Sequence, residues 1–140
     1  MSRRVIGIGA EDRGDDAAGI EVVRRLKTVD AVACLGGSLD VIDLWEGWSD
    51  VVIVDAMKSG AELGTVERFD GLCDRLPTKS FVTTHALATS EAIELARVLD
   101  RLPPKLTVLG IEAGRVDLGA PMSPEVQKAV ARVVAEIDHA

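Results

Sequence analysis

Aromatic side chains are scarce in this 140-residue chain: tyrosine is missing altogether, and Phe and Trp together amount to 3%. Aromatic residues are enriched in protein interfaces. So thin a supply argues against a large sticky contact and for a monomer or weak oligomer. Cysteine is scarce too, and Cys34 and Cys73 stand far apart in no Cys-x-x-Cys spacing. A disulfide framework is therefore not indicated, and both thiols are expected to be free and buried or half-buried. Basic residues are outnumbered, 16 Lys and Arg against 23 Asp and Glu, for a net charge of −7. Neither the positive footprint of a nucleic-acid binder nor a basic stripe for anionic lipid is present, so no nucleic acid and no membrane is expected as partner.

Long apolar runs are lacking as well. No window approaches the roughly 18–20 apolar residues of a membrane span. Ser2-Arg3-Arg4 precedes an apolar stretch that lasts only from Val5 to Ala10 before Glu11 and Asp12 break it. An export signal needs a core of about 7–15 apolar residues, so this stretch reads as a strand with a basic start and the chain is expected to be cytoplasmic. No Gly-x-Ser-x-Gly occurs, and neither cysteine has a histidine at a recognisable spacing. Both absences speak against a serine or cysteine hydrolase.

What is present is a single domain over residues 1–140, with 47% hydrophobic residues. At about this length a chain hides roughly 68–70% of its unfolded surface. Five segments read as strands: Arg4–Ile8, Ala31–Leu35, Asp50–Val54, Thr65–Phe69 and Lys105–Ile111. The first, third and fifth are nearly unbroken apolar or β-branched runs, the mark of strands covered on both faces. Thr65–Phe69 carries Glu67 and Arg68 and suits an antiparallel edge. Between them run helical stripes: Gly19, Val22, Val23 and Leu26; Val41, Leu44, Trp45 and Trp48; Ala88, Ala92, Leu95, Ala96 and Leu99, stopped by Pro103-Pro104. The last stripe, Val126, Val130, Val133 and Ile137, follows Ser123 as N-cap and Pro124 in the first turn. This alternation predicts an α/β fold, a three-layer helix–sheet–helix sandwich. Its five-stranded twisted sheet is mostly parallel, with one antiparallel edge strand.

The chemistry gathers where strands end. Val5-Ile6-Gly7-Ile8-Gly9 passes through Ala10-Glu11-Asp12-Arg13-Gly14-Asp15-Asp16 into a helix, which sets carboxylates at the carboxyl end of a buried strand. Open α/β folds bind ligands there. A helix start attracts anions; with Asp15 and Asp16 already in place, the loop is suited to a cation. Gly7-x-Gly9 opens a dinucleotide fingerprint, but Asp12 occupies the third glycine position, where a pyrophosphate would lie. Asp55 closes Val51-Val52-Ile53-Val54, and His85, the sole internal histidine, stands at the mouth of the third helix. Each has an ordinary alternative. One of Asp15 and Asp16 is expected to cap its helix, Asp55 can bond its own loop backbone, and His85 can satisfy a structural hydrogen bond. Together, in a doubly wound sheet, Asp16, Asp55 and His85 converge on one crevice. Two carboxylates and a neutral imidazole suit a borderline divalent ion such as Zn²⁺ or Ni²⁺, with an open position typical of catalytic sites.

These same segments resemble the hydrogenase maturation proteases. The likeness runs through Val5-Ile6-Gly7-Ile8-Gly9, Gly14-Asp15-Asp16-Ala17-Ala18-Gly19, Val52-Ile53-Val54-Asp55-Ala56, Thr84-His85-Ala86-Leu87, Gly110-Ile111-Glu112 and Leu118-Gly119 through Ser123-Pro124-Glu125-Val126. The resemblance implies an endopeptidase that trims a C-terminal extension from the precursor of a nickel–iron hydrogenase large subunit. It implies that the cut follows nickel insertion and that the enzyme recognises nickel carried by that substrate. Asp16, Asp55 and His85 are then the metal ligands, Gly36 and Gly37 contact substrate, and zinc or cadmium is expected to substitute for nickel in vitro. Ala10 stands where the family usually has Asn, and Leu35 where an acidic residue commonly precedes the glycine pair. The loop Glu11-Asp12-Arg13 is also more charged than usual. These departures bear on substrate preference. Two other classes stay open: a metal- or client-binding paralogue that does not cleave, and an unrelated small α/β hydrolase.

Overall fold

The computed structural model describes residues 2–35, 37–74, 76 and 83–140, with 83–88 as backbone only. Among the described residues, β1 (Arg3–Ile8), β2 (Asp30–Cys34), β3 (Asp50–Met57), β4 (Val66–Asp70) and β5 (Lys105–Glu112) form one sheet. Their order is β2-β1-β3-β5-β4. All pairings are parallel except β4 with β5, which is antiparallel at the edge, as the charged Glu67-Arg68 pattern predicts. Two helices, α1 (Ala18–Arg25) and α4 (Pro124–Asp138), pack together on one face; α2 (Ser38–Trp45) and α3 (Thr83–Leu99) pack together on the other. No helix among the described residues is long and apolar enough to cross a membrane.

The two-residue period of a strand sorts the core. On β3, Val51, Ile53 and Met57 join the core under α2 and α3, while Val52 and Val54 join the one under α1 and α4. The α4 stripe of Val126, Val130, Val133 and Ile137 is wholly or almost wholly buried, as its periodicity predicts. The chain leaves β1 toward α1 on one face and reaches β3 through α2 on the other. The strand order therefore reverses between β1 and β3, which opens a crevice beyond their carboxyl ends.

Glycines let α1 approach this crevice. A Cβ on Gly7 would strike the Gly19 carbonyl, and one on Gly9 would strike the carbonyl oxygen of Asp16. Gly19 itself lies against the backbones of Ile8 and Val54 at once. The Gly7-x-Gly9 pattern thus serves helix-on-strand packing.

Several expectations are corrected. β3 continues three residues past Val54, because Asp55, Ala56 and Met57 pair with Gly110, Ile111 and Glu112 of β5. The buried face of α3 is Thr89, Ser90, Ala92, Ile93 and Ala96, with Leu95 half-buried against the same core as expected, whereas Leu99 is exposed. Ala88 is among the residues described as backbone only. The helix ends before Pro103-Pro104 are reached: Asp100 turns left-handed (φ 56°) and the Arg101 N–H bonds the Ala96 carbonyl at 2.8 Å, closing a Schellman-type cap. Trp48 lies outside α2, half-buried, with the Arg4 guanidinium 4.6 Å from its ring centre. Cys34 is buried and in no disulfide, as expected, but Cys73 is exposed, since it lies in the turn after edge strand β4.

Candidate functional site

Four carboxylates are buried where β1, β3 and β5 end: Asp15 (0% exposed), Asp16 (1%), Asp55 (0%) and Glu112 (4%). Carboxylates are almost never so buried without partners, and the structure shows what several of them hold.

Asp15 and Asp16 occupy a single 3-10 turn, Gly14–Ala17, between β1 and α1. Neither is an N-cap; Arg13 and Ala17 hold the two cap positions, so the capping expectation is corrected. Asp15 instead reaches across the fold. Its Oδ2 accepts from the Gly114 N–H and the Ser123 hydroxyl, each at 2.7 Å, and its Oδ1 accepts from the Ser123 N–H at 2.6 Å. Ser123 stands at the N-cap position of α4, as its place before Pro124 predicts; its hydroxyl makes no cap bond and donates to Asp15. The turn is fixed further by the Asp15 N–H to the Arg115 carbonyl at 2.8 Å and by the Ala10 N–H to the Asp16 carbonyl at 3.2 Å. Asp16 is thereby seated over the end of β1 on a turn that also touches β3.

Asp55 lies within β3, not at its close. Its Oδ1 accepts the Ala56 N–H at 2.8 Å, the local backbone bond foreseen as the ordinary alternative. Its Oδ2 accepts the Thr89 hydroxyl at 3.1 Å. The strand period puts Asp55 on the face covered by α2 and α3, with Ile53 and Met57. Glu112 faces the same way on the adjacent strand, level with Met57, and accepts the Ser59 N–H (3.0 and 3.1 Å) and hydroxyl (2.6 Å). It fastens the loop leaving β3. Nothing in the residue pattern singles out Glu112 except its position directly after an apolar strand, the same signal that marks Asp55.

The structure thus brings Asp16 and Asp55 to the ends of neighbouring central strands, on either side of the crossover crevice. His85 is the third residue of α3, one turn before Thr89; its side chain lies outside the described residues. Gly36 also lies outside them. Gly37 is the N-cap of α2, exposed, with open space where a Cβ would stand. Beside it a cleft of about 360 Å³ is lined by Ala33, Cys34, Leu35, Asp40, Asp43 and Leu44. Leu35 in this lining is exposed (65%), as is Leu39 in the first turn of α2 (60%). Among the described residues no three His, Cys, Asp or Glu side chains meet as a ready metal set.

Over residues 21–140 the chain matches the model of the family described as HycI, hydrogenase maturation protease; Asp16 lies just before the matched stretch. It is 30% identical over 143 residues to the coenzyme F420 hydrogenase subunit delta of Methanothermobacter thermautotrophicus, an alignment covering 93% of this chain and 88% of that protein. Among solved structures it is similar to the [NiFe] hydrogenase maturation protease HybD from Thermococcus kodakarensis. That pair is 25% identical with a TM-score of 0.80, over 99% of this chain and 98% of the other. The hydrogenase maturating endopeptidase HybD from E. coli shares the fold, with a TM-score of 0.76 at 18% identity over 98% and 90% of the two chains.

Proposed function

This chain belongs to the hydrogenase maturation protease family, and from that membership we propose that it is an endopeptidase acting on the precursor of a nickel–iron hydrogenase large subunit. It removes the C-terminal extension once nickel is in place, and it reads the nickel that the substrate carries. Asp16, Asp55 and His85 grasp that ion. The observation that supports this reading best is the burial of Asp16 and Asp55 at the ends of adjacent strands, across one crevice. Carboxylate oxygens with an imidazole nitrogen are a donor set that Ni²⁺ accepts.

The physical logic is a checkpoint. A precursor without nickel offers nothing for the two acids and the histidine to hold, so it is not positioned for cleavage. A gripped ion is also a Lewis acid, able to polarise a nearby carbonyl or activate water. Gly36 and Gly37 are assigned to contact the substrate segment, with the cleft beside α2 as a further contact. Exposed Leu35 offers apolar contact there, and Asp40 and Asp43 line the cleft with negative charge.

A second reading, in which the chain binds its hydrogenase client without cutting it, is favoured by the relative named as a hydrogenase subunit. One experiment separates the two. Candidate large-subunit precursors, with and without nickel, are incubated with the protein and weighed by mass spectrometry. Loss of a C-terminal peptide from the nickel-loaded form alone supports the protease. Complex formation with no change in mass supports the client binder. Asp16→Asn, Asp55→Asn and His85→Ala are each expected to abolish processing while leaving the protein folded. Normal processing by all three would refute the site.

A further inference from the structure

Thr89 sits on the small-residue face of α3, among Ala92, Ile93 and Ala96, and is wholly buried (0% exposed). A hydroxyl in such a place is costly unless bonded, and valine would fill the same space without that cost. Threonine within a helix has a ready acceptor of its own, the carbonyl four residues back. The hydroxyl has one proton to give, and Thr89 gives it to Asp55 Oδ2 at 3.1 Å. The other oxygen of Asp55 is held by the Ala56 N–H of its own strand. One oxygen is thus set by β3 and the other by α3. The residue one turn before Thr89 on α3 is His85.

We propose that Thr89 is a positioning residue: its hydroxyl sets the Asp55 carboxylate and fastens to β3 the helical turn that bears His85. The inference rests on the reading of Asp55 and His85 as groups that grasp the substrate's nickel. Thr89 does not touch the ion; it fixes the register between two ligands that come from different layers of the sandwich.

Thr89→Val removes the proton donor and keeps the shape, Thr89→Ser keeps the donor, and Asp55→Asn serves as the control. Each is compared with wild type in melting temperature, in the shift of that temperature on adding Cd²⁺ alone, and in kcat and KM for a nickel-loaded precursor. The expected result is a folded Thr89→Val protein with kcat down by about tenfold to a hundredfold, the scale of a small misplacement. Its KM stays near wild type and its Cd²⁺ shift is diminished, while Thr89→Ser recovers both kcat and shift. Should Thr89→Val fold poorly, Thr89→Ala carries the same comparison with serine. A folded Val or Ala variant with wild-type kcat and Cd²⁺ shift, beside an inactive Asp55→Asn, overturns the role of Thr89 and leaves the site reading standing. Serine that fails to restore function overturns it as well, since the hydroxyl is then not the operative group. Wild-type processing by Asp55→Asn overturns the site reading, and the inference with it.

Discussion

Asp15 and Ser123 stand 108 residues apart in the chain and meet through two hydrogen bonds, from the serine N–H at 2.6 Å and from its hydroxyl at 2.7 Å. With the Gly114 N–H added, one buried carboxylate joins the turn before α1, the segment after β5 and the start of α4. Removing the acceptor strands all three donors. Hydrogen bonds to a charged group are worth about 1.5–3 kcal/mol each and are not additive, so Asp15→Ala is expected to cost on the order of 3–5 kcal/mol. Ser123→Ala removes one bond and is expected to cost about 1–2 kcal/mol. Denaturant titrations check both: the midpoint should fall, with little change in slope.

Such long-range bonds explain what the residues announce and what they conceal. The strand runs and the α4 stripe are legible because burial imposes periods of 2 and 3.6 within short windows. Asp15 is not, since its partners lie at residues 114 and 123; read locally, an aspartate before a helix looks like a cap. Asp55 marks the end of an apolar run, yet the strand continues through it because β5 supplies partners as far as Glu112. A polar residue in a buried strand reads as a boundary only while its neighbour is unseen. On α3 the choice between Ile93 and Leu99 as core turns on where β3 lies against the helix. The hydroxyl of Thr89 has meaning only beside Asp55.

Gly19 gives a sharper test of the packing that brings the two strand ends together. A Cβ there would stand 2.6 Å from the Ile8 carbonyl oxygen and nearer still to that of Val54, both backbone atoms that cannot swing away. Gly19→Ala is therefore expected to cost about 1–3 kcal/mol, as overpacking does, and to weaken processing by pushing α1 off β1 and β3. Gly37→Ala meets open space and loses only the N-cap preference of glycine over alanine, so it should cost about 0.5–1 kcal/mol, less than the clash at Gly19. Thermal melts of the two variants side by side decide the matter.

The pole opposite the crevice predicts a pH effect. Asp138, at the end of α4, accepts the Thr28 N–H at 3.0 Å, the Thr28 hydroxyl at 2.8 Å and the Lys27 N–H at 3.1 Å. The Thr28 backbone bond first, then the Thr28 hydroxyl, hold its carboxyl below the usual aspartate value. A group whose pKa is lowered on folding adds stability above its unfolded value and loses it as the pH falls through the folded one. Wild type is thus expected to be more stable than Asp138→Asn at neutral pH, with the difference closing as the pH drops below the ordinary aspartate range. Chemical denaturation of both proteins across pH 7 to about pH 2.5 measures it; a difference that widens in acid would show the sign to be wrong.

The proposed site makes its own prediction for the free protein. An ion that binds the folded form and not the unfolded one stabilises it by about 2.7 kcal/mol at a hundred times its dissociation constant. Cd²⁺, Zn²⁺ or Ni²⁺ at saturating concentration is therefore expected to raise the melting temperature by several degrees. Asp16→Asn and Asp55→Asn each remove one oxygen ligand's charge and should abolish the rise. Asp138→Asn, at the opposite end of the sheet, should keep it, which guards against a general effect of lost negative charge in a chain of net charge −7. The two acids arrive on different segments, one over β1 and one within β3, so an ion held by both would depend on the close packing at Gly19. Gly19→Ala should accordingly lose the metal-induced rise at temperatures where it is still folded. A rise retained by both Asp16→Asn and Asp55→Asn would put the ion elsewhere on the surface.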